Sequence, residues 1–224
     1  MKAMILAAGR GERMRPLTDA LPKPLLRAGG QPLIVHLIEQ LRCQGFRDLI
    51  INHAYRAQQL LSVLADGRRF GVRIQYSAEP PGALGTGGGI RNALPLLGDS
   101  AFLVVNSDVW TDYPFHKLTQ VATHLAHLVL VDNPPHHPRG DFALLDGKLD
   151  PGGHPRLTFA GIGLYRPQLF ESCSEARFSL APLLREAATG GKVSGEHYGG
   201  QWIDVGTPQR LQELDARLRA RHVI

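Results

Sequence analysis

The chain has 224 residues, 43% of them hydrophobic and 20% charged, with a formal net charge of +5. This is the make-up of a globular chain with room for one large α/β domain or two small ones, not of a fibrous or disordered one. The basic excess is scattered, without the Lys/Arg block or aromatic–basic ladder of a nucleic-acid binder, and no apolar run approaches the roughly 20 residues that span a membrane. Cys43 and Cys173 form neither a CxxC pair nor a zinc spacing, so free thiols and a cytoplasmic location are expected.

In chain order, Ala3–Ala8 reads as a strand that breaks into a glycine-rich turn at Gly9-Arg10-Gly11. Pro32 suits the first position of a helix with Leu33, Ile34, Leu37, Ile38 and Leu41 on one face and Gly45 at its end. Strands are predicted at Asp48–His53, Val72–Ser77, Ala101–Asn106 and Leu128–Asp132. Between them, Leu60, Leu61 and Leu64 mark a helix ending near Gly67, and Ile90–Leu97 marks another. The βαβα alternation predicts a single α/β domain, a Rossmann-like, mostly parallel open sheet flanked by helices.

The texture changes after Asp132. Residues 133–140 are turn-rich, and short strands are expected at Phe142–Leu145 and Leu157–Tyr165. A helix over Ser179–Ala188, a strand at Trp202–Val205 and a terminal helix over 207–224 complete the pattern. Thr207 would cap that helix, Pro208 would open it, and Leu211, Leu214 and Leu218 would line one face, with Glu213 and Arg217 spaced to pair.

The segment LAAGRGERMRPLTDALPKPLL, residues 6–26, carries the sharpest chemical signal. Glycines let a backbone turn approach phosphate oxygens, and Arg13, Arg15 and Lys23 follow where a polyphosphate would need charge. A dinucleotide fingerprint fits poorly, because its third glycine is Met14 and Ile50-Ile51-Asn52-His53 ends without an acidic ribose ligand.

This segment resembles the LAAGxGxRxxPLT…PKP signature of the sugar-1-phosphate nucleotidylyltransferases. The resemblance implies the nucleotide-diphospho-sugar transferase type of fold, a nucleoside triphosphate and a sugar 1-phosphate as substrates, pyrophosphate as product and Mg²⁺ as cofactor. Residues 1–132 would then form a nucleotide half, 133–204 a sugar half, and 207–224 a C-terminal helix.

The resemblance assigns the remaining residues as follows. Ala8, Gly9, Gly11 and Glu12 would line the phosphate turn, Arg13 would grip the departing pyrophosphate, and Lys23 would meet phosphate oxygens near the reacting phosphorus. Lys23 otherwise reads as a turn lysine, and Arg15 reads equally as a helper or as a structural ion-paired arginine. Asp108, just past a strand end in VVNSDVW, is a natural Mg²⁺ ligand or a loop-capping aspartate; the resemblance favours the metal. Asp204 in WIDVGT would join it. Glu79, Ala83, Gly85 and Thr86 in and before GALGTGGG would frame the nucleobase. Asn106, Gly140, Asp141, Thr158 and Gly161 would hold the sugar. The Glu-Lys pair found in relatives has no clean counterpart between residues 144 and 157, leaving Lys148 or Arg156 to substitute, or neither. Arg139 or Arg156 would meet a carboxylate on the sugar. His136 and His137 lack a Cys/His partner set and read as a solvated loop.

The short chain, which stops about one helix beyond Asp204, resembles the uridylyltransferase branch of peptidoglycan recycling, implying UTP. The guanylyl and thymidylyl branches share these motifs. A non-catalytic nucleotide-sugar-binding regulator is the alternative of another class. A monomer without nucleic-acid or membrane partners is the working expectation.

Overall fold

The computed structural model describes residues 1–221. Its elements run β1 (Ala3–Leu6), α1 (Leu17–Ala20), β2 (Arg27–Ala28), β3 (Gln31–Pro32), α2 (Leu33–Cys43), β4 (Asp48–His53), α3 (Ala57–Leu64), β5 (Arg73–Ala78) and α4 (Gly85–Leu97). They continue with β6 (Phe102–Asn106), β7 (Val109–Thr111), β8 (Ala126–Val131), β9 (Phe142–Leu145), β10 (Lys148–Asp150) and β11 (Arg156–Tyr165). The last are α5 (Leu180–Thr189), β12 (Val193–His197), β13 (Trp202–Asp204) and α6 (Pro208–Arg221). Positions 222–224 of the expected terminal helix lie outside the described residues.

Period-two alternation decides the layering. Ala3 and Ile5 of β1, Leu49 and Ile51 of β4, and Leu103 and Val105 of β6 pack on one side with α2 and α3. Met4, Ile50, Phe102 and Val104 face the other side and meet α4 and α5. Strands buried on both faces carry near-continuous apolar runs, which is why they were legible.

The main sheet has nine strands in the order β5-β4-β1-β6-β11-β8-β12-β10-β9. β5, β4, β1 and β6 are mutually parallel neighbours. β11 runs antiparallel to both β6 and β8, β12 returns parallel to β8, and β10 opposes β12 and β9. Only β11 and β10 therefore run against the common direction, and the sheet is mostly parallel, as the alternation predicts.

Two additions position the cleft. A two-stranded ribbon pairs β7 with β13, setting Val109 opposite Asp204. The α6 helix packs Leu211, Leu214 and Leu218 against Met14, Leu26, Ala28 and Val205, so this helix closes over the first loop. The Thr207 hydroxyl accepts from the Arg210 N–H at 3.3 Å, as a cap should. The expected Glu213–Arg217 pair is replaced: Gln209 donates to Glu213, and Arg217 lies over the Trp110 ring. Among the described residues, no helix is long and apolar enough to cross a membrane.

The helix expected to begin at Ile90 begins instead at Gly85. Packing explains this difference. A Cβ on Gly87 would lie 2.3 Å from the Phe178 ring, and one on Gly88 would lie 2.3 Å from the Ala176 carbonyl. The glycines let the first turns of α4 lie against residues 176–180, overriding their poor helix propensity.

Candidate active site

A cavity of about 480 Å³ opens at the C-terminal ends of β1, β4 and β6, where open α/β sheets hold ligands. Its wall includes Ala8, Gly9, Gly11, Glu12, Arg13 and Lys23 of the first loop, with Glu79, Ala83, Gly85 and Thr86 of the second. Asn106 and Asp108 complete the wall from the end of β6. Segments distant in sequence thus converge on one space.

The first loop has a local cause. Gly11 sits at φ +67°, a left-handed conformation that glycine adopts without strain. A side chain there would also crowd Lys23 Cβ at 3.0 Å. The Gly11 carbonyl accepts from Met14 N–H and from the Thr18 hydroxyl, both at 2.9 Å, and Met14 is fully buried under α6. Met14 anchors the turn, while Glu12 and Arg13 are left exposed beside the cavity. Pro22 and Pro24 flank Lys23, whose ammonium donates to the Asp108 carboxylate. Their side chains are only 12% and 25% exposed, so this pair is largely shielded from water.

Asn52 ties the two loops together. Its Oδ1 accepts from Ala7 N–H at 2.7 Å, and its Nδ2 donates to Glu79 Oε1 at 2.6 Å. Glu79 Oε2 in turn accepts from Leu84 N–H at 2.8 Å. Sequence reasoning missed Asn52; the available signal was one amide directly after the apolar run Leu49–Ile51. Burial holds the neighbouring His53 imidazole below its ordinary value, against an opposing pull from Glu79.

A second cavity of about 190 Å³ shares Asn106 and Thr86 with the first. Asp141, Phe142, Phe159, Gly161, Leu180 and Arg185 also line it. Gly161 has φ +72° within the register shift of β11, and a Cβ there would lie 2.6 Å from Asn106 Nδ2. The bulge makes room for the Asn106 amide between the two spaces. Asp141 accepts from Phe159 N–H at 2.8 Å, and His137 Nε2 lies 3.2 Å from its carboxylate.

Gly140 and Thr158 line neither cavity. Thr158 Oγ1 donates to Asn133 Oδ1 at 2.8 Å, and a Cβ on Gly140 would lie 2.7 Å from that same oxygen, so both shape the turn behind the site. Arg156 Nε donates to the Gly153 carbonyl, and Lys148 is exposed on β10 near the far sheet edge. Neither stands at either cavity, and nor does Arg139; Arg185 is the cation found at the second one. Arg15 pairs with Asp19 at 3.1 Å, the structural reading left open above.

Asp204 and Asp108 are neighbours through the backbone: Asp204 faces Val109 across the ribbon, and Val205 N–H donates to the Asp108 carbonyl at 2.8 Å. The Asp204 carboxylate, however, lines a third cavity of about 720 Å³ with His136, Trp202 and Arg210. It pairs there with Arg210 and with His136, the latter at 3.0 Å. His136 and His137, expected in a solvated loop, are each half-exposed partners of an aspartate. Asp108 brings a hard carboxylate to the main cavity, a donor that fits Mg²⁺, which takes one or two carboxylates and completes its shell with water and substrate phosphates; Asp204 would join it only on leaving Arg210.

The chain matches the nucleotidyl transferase family model over residues 2–146 and belongs to that family. It is 52% identical to N-acetylmuramate alpha-1-phosphate uridylyltransferase of Neisseria meningitidis, over 96% of this chain and 97% of that relative. A Caulobacter vibrioides protein of the same name is 33% identical over 96% of each chain. The backbone also superposes, with a TM-score of 0.86, on the crystal structure of a putative glucose-1-phosphate thymidylyltransferase from Bacillus anthracis. That match covers 98% of this chain and 95% of the other at 22% identity, a likeness of fold alone.

Proposed function

We propose that this chain joins UTP to N-acetylmuramate α-1-phosphate, giving UDP-N-acetylmuramate and pyrophosphate in the cytoplasm as a step of peptidoglycan recycling. The observation that carries the reading is the near full-length similarity to the Neisseria uridylyltransferase. The convergence of Arg13, Lys23 and Asp108 on one cavity supports it.

A phosphate oxygen of the sugar 1-phosphate attacks the α-phosphorus of UTP. The bond to the bridging oxygen breaks, and pyrophosphate leaves with that oxygen and its electron pair. Such a transfer needs alignment and charge neutralisation rather than a nucleophilic side chain. Lys23 neutralises charge at the α-phosphate, Arg13 holds the leaving pyrophosphate, and the Asn52–Glu79–Leu84 chain fixes the loop beside the uracil. Asp108 and Asp204 would hold Mg²⁺, which when bound supplies positive charge to the phosphates.

Residues 1–132 provide the nucleotide half and 133–204 the sugar half, with Asn106 at their boundary. Asp141 and Gly161 face the sugar, and Arg185 at the rim of the second cavity meets the lactyl carboxylate. Replacing Asp108 by Asn should lower pyrophosphate release on the order of 100-fold or more, since a charge positioned for the transition state is lost. Near-normal turnover by Asp108→Asn would defeat the assignment, and intact nucleotide-sugar binding by a wild type without turnover would favour a regulator.

A further inference from the structure

Gly206 lies between two guanidinium groups brought together from opposite ends of the chain. A Cβ built on it would stand 2.5 Å from Arg210 Nη2 and 3.3 Å from Arg13 Nη2. Arg13 and Gly206 both border the main cavity, and Arg210 borders the third, so the two arginines face each other across the wall between those spaces. Arg210 is 14% exposed, held by Thr207 Oγ1 at 3.4 Å, and its Nη1 engages the Asp204 carboxylate and His136. Among the described residues Arg13 has no ion pair of its own. Asp204 offsets the Arg210 charge while Arg13 keeps its own, and guanidinium forks match phosphate oxygens bidentately.

We propose that Arg210 and Arg13 form a two-arginine clamp across Gly206 for a phosphate group of the reactants. Asp204 occupies Arg210 while the clamp is empty. The inference rests on the transferase reading above and adds Arg210 as a direct phosphate contact. It also supplies a cation at a place where neither Lys148 nor Arg156 reaches. Ligation of Asp204 by a divalent cation would release the Arg210 fork to turn toward the phosphate. The glycine at 206 is needed on this account because any side chain would fill the space where the two forks meet.

The phosphate has two possible sources, pyrophosphate and the sugar 1-phosphate, and calorimetric titration distinguishes them. Each would be titrated separately into the wild type and into Arg210→Gln and Arg210→Lys without divalent cation. The clamp predicts that Arg210→Gln weakens at least one ligand about ten-fold, with Lys restoring part of the loss because it keeps charge but not the fork. The ligand that weakens identifies the source. Asp204→Asn should tighten that ligand, and the gain should vanish in the Asp204→Asn/Arg210→Gln double variant, which isolates the coupling between them.

Unchanged affinity for both ligands in a folded Arg210→Gln protein would overturn the clamp, as would an Asp204→Asn gain that survives without Arg210. Equal drops in melting temperature for Arg210→Gln and Asp204→Asn with unaltered titrations would reduce the contact to a structural ion pair, also against the proposal. Failure of the wild type to turn over any triphosphate would defeat the transferase reading while leaving these titrations to decide the clamp.

Discussion

The Asn52 amide uses both ends, accepting from the first loop and donating to Glu79, while only 3% of the residue is exposed. Replacing it with Leu would leave the Ala7 N–H without its acceptor and the Glu79 carboxylate without one donor. The expected cost is about 1–3 kcal/mol for each buried group left unpaired, read as a lower urea midpoint, with a raised KM for the triphosphate. A variant with unchanged stability and KM would remove Asn52 from the account. Arg13, Lys23 and Asp108 were legible because each sits in a short segment whose prolines, glycines or strand end constrain it. Asn52 was not, because its importance lies in partners 45 and 27 residues away, which no local pattern reveals. Arg210 was missed for the same reason: in sequence it is one more arginine on an amphipathic helix.

Among the elements, α4 departs most from its sequence reading. Four glycines within its first turn and a half look like a loop, yet they form helix, with Gly85, Gly87 and Gly88 packed against residues 176–180 and Gly89 against Glu79 and Asn52. Gly88→Ala tests the cause. Alanine favours a helix over glycine by about 1 kcal/mol, so an exposed site would gain stability. Here the new methyl would lie 2.3 Å from the Ala176 carbonyl, a backbone atom that cannot rotate away. Overpacking of this kind costs about 1–3 kcal/mol, so thermal unfolding should show a net loss. A rise in melting temperature would mean that the contact is looser than described. The β11 bulge follows the same logic: Gly161 was expected at the sugar, and it lines the second cavity while also making room for Asn106.

Across the whole molecule, the parallel half was read from its near-continuous apolar runs, and in the mixed half β8, β9 and β11 were read as strands while β12 and β10 were not. β12 and β10 carry short polar sequences, VSGEH and KLD, whose pairing depends on neighbours remote in the chain. One link holding β12 to the segment after β7 is Glu196, which accepts from the Tyr113 hydroxyl and lies 3.8 Å from His127. His127, then burial acting in the opposite sense, then Tyr113 set its acidity, and the net effect holds the carboxyl below its ordinary 4.5. A depressed folded value means that the contribution is present above the unfolded value near 4.5 and is lost as pH falls through the folded one. Glu196→Gln should therefore be less stable than wild type by about 1 kcal/mol at pH 7, with the gap closing in urea unfolding as pH falls below the ordinary carboxylate range. A gap independent of pH would assign the loss to packing instead.

The most direct measurement is pyrophosphate release in Mg²⁺, crossing UTP, dTTP, GTP, CTP and ATP with the 1-phosphates of N-acetylmuramate, glucose and mannose. Release dominated by UTP with N-acetylmuramate α-1-phosphate, and abolished by Asp108→Asn, is the expected result. Release dominated by GTP with mannose 1-phosphate, or no release with any pair from a folded protein, would contradict it.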